Sequence, residues 1–199
     1  MSDDNGIEFV TDIFTGRVEN GVAVVHVRDR LLLRLADISA KGAAMEHLQG
    51  FMHSGDISAM VVLDPHQASR REEYLDILTT LKKQDSGFAA RICNAANQVV
   101  AQMATLPKPV IAAGSGRIIS LILNMSLAAD YRVVSDDAVF VNPGLNLGLP
   151  SKGGASFFLS RLAGPARAME FMLCREEIHA STALDWGIVN EIVPKDRLE

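Results

Sequence analysis

The stretch Leu106-Pro107-Lys108-Pro109-Val110-Ile111-Ala112-Ala113-Gly114-Ser115-Gly116, continued by the run from Ile118 to Ala129 and by Asp130-Tyr131-Arg132-Val133-Val134, decides the fold. Two prolines close an amphipathic segment, and the apolar Val110 to Ala113 is too short for a helix and bounded as a buried strand is. Gly114-Ser115-Gly116 turns the chain. From Ile118 to Ala129 only Ser120, Asn124 and Ser126 interrupt apolar residues, the composition of a helix buried on most of its surface. A helix that opens on a glycine turn at the end of a strand points its first N–H groups at whatever lies there. Asp130 to Val134 reads as the returning strand, and Phe140 to Gly154 as a loop set with Pro143, Gly144, Gly148, Pro150, Gly153 and Gly154.

Outward from this centre, 199 residues, 48% of them hydrophobic and with a net charge of −5, suit one domain over residues 1–199. Charges are mixed: no basic tract suits nucleic acid, and no run is long enough to span a membrane. Met1-Ser2-Asp3-Asp4-Asn5 is acidic where an export signal is basic and apolar, so the cytoplasm is the expected location. Cys93 and Cys174 lack metal-ligand spacing and read as buried thiols; no metal site is expected.

Strands are expected near Phe9 and from Phe14 to Val18, and Asn20-Gly21 before Val22-Ala23-Val24-Val25-His26-Val27 is a two-residue hairpin signal. His26 reads better as a structural histidine than a functional one. A helix is expected over Ile38–His53, a buried strand over Ile57–Leu63, and a long helix over Phe88–Leu106. That helix carries Asn94, Asn97, Gln98 and Gln102 on a neutral polar face, either wet or covered by another subunit. His66 beside Asp64 is a weaker catalytic pair than its spacing suggests.

This order of strand, glycine turn, buried helix, Ala128-Ala129-Asp130-Tyr131-Arg132 and glycine-rich loop resembles the crotonase family, the enoyl-CoA hydratase/isomerase group. Asn142-Pro143-Gly144-Leu145-Asn146-Leu147-Gly148 is similar to its Gln-Pro-Glu-Ile-x-Leu-Gly loop. Ser160-Arg161-Leu162-Ala163-Gly164 and Ala183-Leu184-Asp185-Trp186-Gly187-Ile188-Val189-Asn190-Glu191-Ile192-Val193-Pro194 continue the likeness to the C-terminus. The resemblance implies an α/β crotonase/Clp-protease-like fold of repeated β-β-α units, a single domain, and an acyl-CoA or acyl-carrier-protein thioester as ligand without a further cofactor. It also implies a homotrimer or hexamer.

Carried over position by position, the family's oxyanion donors are the backbone N–H groups of Leu121 and Ser69. Its Gly-Gly-Gly run is Ser120-Leu121-Ile122 here. The two hydratase glutamates fall on Asn124 and Gly144, and a third acidic position falls on Lys152. Arg28 and Arg30 stand where CoA phosphates would bind guanidinium groups. Neither Asn nor Gly shuttles protons, whereas a desolvated lysine can act as base. Ser120 matches the nucleophile position of Clp-type proteases, but Val141 and Asn142 stand where the base would be; Ser120 is therefore read as bonding helix-start N–H groups. The family usually continues with further helices where this chain ends at Leu198-Glu199, so a trimmed end or a partner closing the pocket is expected. The functional expectation is an isomerase, decarboxylase or hydrolase on a thioester, rather than a two-glutamate hydratase. The alternative is a non-catalytic binding or assembly subunit.

Overall fold

A computed structural model describes residues 7–65, 70–145 and 153–198. The chain opens with β1 (Ile7–Val10), β2 (Phe14–Glu19) and β3 (Val22–Val27), paired antiparallel. Asn20 and Gly21 both take positive φ, 50° and 77°, which is why this dipeptide makes the two-residue turn between β2 and β3. After α1 (Leu31–Leu35) and α2 (Ile38–His53) comes β4 (Ala59–Leu63), then α3 (Arg70–Lys83) and α4 (Ser86–Ala104). The central stretch forms β5 (Val110–Gly114), β6 (Arg117–Ile119), α5 (Ser120–Ala128) and β7 (Tyr131–Ser135). β8 (Val139–Val141), α6 (Ala155–Leu162), α7 (Pro165–Cys174), β9 (Glu177–His179), α8 (Ala180–Asp185) and β10 (Glu191–Val193) complete it.

The main sheet runs β1-β2-β3-β4-β5-β7-β10, parallel from β3 onward, and a small sheet runs β6-β8-β9. β5 is interior, with β4 and β7 on its two sides, as its uninterrupted apolar text implies. Helix starts carry the expected caps: the Asp37 carboxylate accepts from Ser39 N (2.8 Å) and Ala40 N (3.0 Å), and Asp85 from Phe88 N (2.7 Å). Lys108, from the Pro-Lys-Pro stop, donates to Phe51 O at 2.8 Å and so satisfies the carboxyl end of α2.

Two apolar clusters meet at α5. One packs α2 and α4 on the sheet through Leu48, Val99, Met103 and Val110; the other gathers Phe140, Leu159, Phe171 and Ile188 between α5, the small sheet and α6–α8. Leu121 belongs to the first, Leu123 and Leu127 to the second, and Ile122 touches both. Apolar residues all round α5 follow from this double contact.

Several expectations are corrected. Ile118 and Ile119 are not helical: they pair in parallel with Phe140 and Val141, residues read as loop. An apolar run carries no period that separates a buried strand from a buried helix. Cys174 is exposed and Cys93 half-buried, because α7 presents its last residue outward. The neutral face of α4 serves this chain's own packing: Gln98 accepts from Lys41 (2.8 Å), Gln102 donates to Met45 O (3.1 Å), and Asn97 accepts from Gly153 N (3.1 Å).

Two polar clamps fix α5 in place. Arg132, 3% exposed, donates to Ile188 O (2.6 Å), Ala129 O (2.5 Å) and Ser126 O (3.3 Å), tying the end of α5 to β7 and to the segment before β10. Burial lowers its pKa, and the nearby Asp130 pushes it back up. Asp137 holds the turn before β6: its carboxylate accepts from Lys195 Nζ (2.6 Å) and Gly116 N (3.2 Å), and from the Ser135 hydroxyl.

Replacing Arg132 by Met is expected to lower unfolding stability by about 3 kcal/mol, because carbonyls are stranded in the core. Urea denaturation checks this, and a loss below about 1 kcal/mol would contradict the clamp. The Lys195 and Ser135 hydrogen bonds hold the Asp137 carboxyl down at about 2, against an ordinary 3.8. A depressed carboxylate stabilises above its unfolded pKa and loses that contribution as pH falls from about 4 towards 2. Asp137→Asn is therefore expected to cost roughly 1 kcal/mol or less at pH 7, the pair being largely exposed. Its stability should converge with the parent's in denaturation series taken down through this acid range.

Candidate active site

Between the α3–α4 pair and the start of α5 lies a cavity of about 300 Å³. Its apolar wall comes from α3 and α4, with Ile77, Leu78 and Leu81 on one and Ile92 and Ala96 on the other. Opposite them stand Ser120, Leu121 and Asn124 of α5, and Asn142, Gly144 and Gly153 close the rim. The structure thus brings together three sequence-predicted positions: Leu121, Asn124 and Gly144.

Leu121 buries its side chain in the core, 3% exposed, and its N–H belongs to the first turn of α5, where helix N–H groups have no intrahelical partner. The Leu121 N–H thus stands at the helix start beside the cavity, with Ser120, Leu121 and Ile122 where the family has glycines. Ser120 takes φ 56°, a left-handed conformation that costs a non-glycine residue roughly 1–2 kcal/mol. The expectation that its hydroxyl caps the helix is corrected: the cap residue is Ile119, and Ser120 makes no cap bond among the described residues. Ser120 lines the cavity instead.

Asn124 makes no side-chain hydrogen bond among the described residues and is packed by Gly153. A Cβ on Gly153, itself at φ 67°, would lie 2.4 Å from Asn124 Nδ2, so only glycine lets the rim approach this amide. Asn142 Nδ2 donates to Met172 O (3.0 Å) and Phe171 O (3.3 Å), fastening the start of the rim to α7.

The other predicted positions lie elsewhere. Arg28 donates to Thr11 O at 3.0 Å, and Arg30, in left-handed conformation at the start of α1, pairs with Asp76 of α3 at 2.7 Å. Neither lines the cavity. Ser69, His66 and Lys152 fall outside the described residues. Asp64 is buried at the end of β4 and lines a separate small hollow beside Gly114 and Ile122.

Among the described residues, no carboxylate or cation lines the cavity, and no cluster of His, Cys, Asp or Glu could hold a metal. Its titratable groups among the described residues are Tyr74 and Cys93. Burial raises the Tyr74 pKa from its ordinary 10.0, so the phenol stays protonated at neutral pH and can donate a hydrogen bond. Tyr74 is a site residue that sequence reading missed. Its signal was present: Tyr74, Ile77, Leu78 and Leu81 form one stripe of α3, and the hydroxyl is the polar member of an apolar face.

Comparison with known proteins follows the same lines. The Enoyl-CoA hydratase/isomerase family model matches residues 72–199. The probable enoyl-CoA hydratase EchA17 of Mycobacterium tuberculosis is 33% identical over 141 residues, covering 71% of this chain and 53% of that protein. The trans-2-decenoyl-[acyl-carrier-protein] isomerase of Streptococcus mutans is 32% identical over 127 residues, 64% of this chain and 48% of that one. The chain thus spans about half the length of these curated relatives. A crystal structure of a probable enoyl-CoA hydratase/isomerase from Mycobacterium abscessus superposes with a TM-score of 0.71 at 26% identity, over 90% of this chain and 68% of that one. A buried helix opening on a cavity, and a family match over most of the sequence, have one conclusion: the chain belongs to the enoyl-CoA hydratase/isomerase, or crotonase, family.

Proposed function

We infer that the protein takes an acyl-CoA or acyl-carrier thioester into this cavity, with the thioester carbonyl oxygen on the Leu121 N–H and the acyl group along the α3–α4 wall. The observation that carries the reading is an open cavity at the first turn of a buried helix, with an apolar wall facing a neutral polar one. A helix start stabilises charge developing on a carbonyl oxygen. The names of the relatives, an enoyl-CoA hydratase and a carrier-protein isomerase, support thioester chemistry.

The reaction is isomerase, decarboxylase or hydrolase chemistry rather than two-carboxylate hydration, since Asn124 and Gly144 move no protons. Arg30 is proposed as a phosphate contact: its exposed pair with Asp76 is weak enough to exchange for a CoA phosphate. Arg28, bonded to Thr11 O, would have to turn for the same role. A homotrimer or hexamer is proposed as well, and the exposed Phe157, Met169 and Leu173 on α6 and α7 support a covered surface there. Of the two readings, enzyme and non-catalytic binding or assembly subunit, the open cavity supports ligand binding, which an enzyme and a binding subunit share, and speaks against a pure assembly role. Leu121 is tucked into the core instead of filling the space.

Crotonyl-CoA hydration should be negligible in the purified protein, because each missing general acid or base is worth about 10²–10⁴-fold. Turnover at ordinary hydratase levels would overturn the assignment of Asn124 and Gly144. Gain of activity in the Asn124→Glu/Gly144→Glu double variant would support it. Calorimetric titration with crotonyl-CoA tests the binding reading separately, and absence of binding would contradict it.

A further inference from the structure

Three neutral polar side chains face the cavity without partners among the described residues: the Tyr74 phenol, the Ser120 hydroxyl and the Asn124 amide. Their hydroxyl and amide atoms are not sealed in the protein, since among the described residues the buried unpaired side-chain atoms are those of Gln102 and Arg117. Tyr74 and Ser120 also both line a small adjoining hollow with Glu73 and Leu121, which places Tyr74 beside the first turn of α5 and a carboxylate next to it. α3 packs against β6, the strand that leads into that turn.

A saturated acyl thioester does not need these groups. Its one carbonyl oxygen is met by backbone N–H, and its chain by the apolar wall of Ile77, Leu78 and Ile92. Seating a bare alkyl chain against Tyr74, Ser120 and Asn124 would displace water from three groups and return nothing to them, and such stranded groups are what make a site reject a ligand. A ligand oxygen can take the place of that water. The groups the described lining offers are hydroxyls and an amide, which suit an uncharged oxygen.

We propose that the acyl group this cavity selects carries a hydroxyl or ketone oxygen beyond the thioester carbonyl, and that Tyr74 donates a hydrogen bond to it, with Ser120 and Asn124 as the further polar contacts. The inference rests on the thioester reading above and narrows it to an oxygenated acyl class. It also makes Tyr74 a residue that decides specificity without carrying a proton away.

The test is calorimetric titration of the protein and of Tyr74→Phe with four probes: CoA, butyryl-CoA, β-hydroxybutyryl-CoA and acetoacetyl-CoA. The parent is expected to bind at least one oxygenated probe about tenfold or more tighter than butyryl-CoA. Tyr74→Phe, which keeps the ring and its packing, is expected to lose most of that preference while its affinity for butyryl-CoA stays within about twofold. A role confined to packing would instead weaken all acyl probes alike. Ser120→Gly removes a second hydroxyl, relieves the positive φ, and should lower the same preference. Equal affinity for butyryl-CoA and both oxygenated probes overturns the oxygenated class while leaving the thioester reading intact, and a preference unchanged in Tyr74→Phe overturns the role of Tyr74. Binding of none of the four overturns the thioester reading and this inference together.

Discussion

The guanidinium of Arg132 is buried, and its hydrogen bonds to Ala129 O, Ser126 O and Ile188 O set the position of everything around it. An arginine cannot shed its charge in the core, so the surrounding backbone must supply carbonyls in a fixed fork geometry. That requirement locks the carboxyl end of α5 against β7 and against the segment leading to β10. Asp130 completes the corner: its side chain accepts from Val110 N at 2.8 Å, and its N–H donates to Val110 O at 2.9 Å. With its far end held this way and the turn before β6 held by Asp137, α5 has one place to begin. Its first turn meets the cavity because of constraints several residues away.

Among the described residues, the lining of the cavity at that helix start is neutral, and the Glu73 carboxylate stands in the smaller hollow beside it. Where the family resemblance leads one to look for carboxylates, the described lining holds amides, hydroxyls and a phenol whose pKa burial raises. Neutral groups of this kind orient and discriminate; they do not exchange protons at pH 7. Ser120 shows the accommodation most directly, since a non-glycine residue holds a positive φ there so that the following N–H keeps its place in the first turn.

Much of this was legible in the sequence where the signal is local. Asn20-Gly21 has one good use between two valine-rich strands, and Val110 to Ala113 between Pro109 and Gly114 could only be a short buried strand. The text from Ala128 to Arg132 and from Ala183 to Pro194 carried the family, and the positions of Leu121, Asn124 and Gly144 came with it. What was not legible depends on partners distant in sequence. Ile118 and Ile119 look helical until Phe140 and Val141 are brought alongside them. Gln98 and Gln102 look like a free face until α2 packs there. Tyr74 looks like one more aromatic on an amphipathic helix until α3 is seen to wall a cavity.

The claim on which the account turns is that the Leu121 N–H, at the start of α5, receives the carbonyl oxygen of a thioester. Its amide resonance can be followed in protein labelled with nitrogen-15 leucine, assigned by its loss in Leu121→Ile, while acyl-CoA and then CoA alone are titrated in. A hydrogen bond from this group to a polarised carbonyl predicts a downfield shift of the Leu121 amide proton with acyl-CoA that CoA alone does not produce. Saturating acyl-CoA that leaves this resonance unmoved would contradict the account.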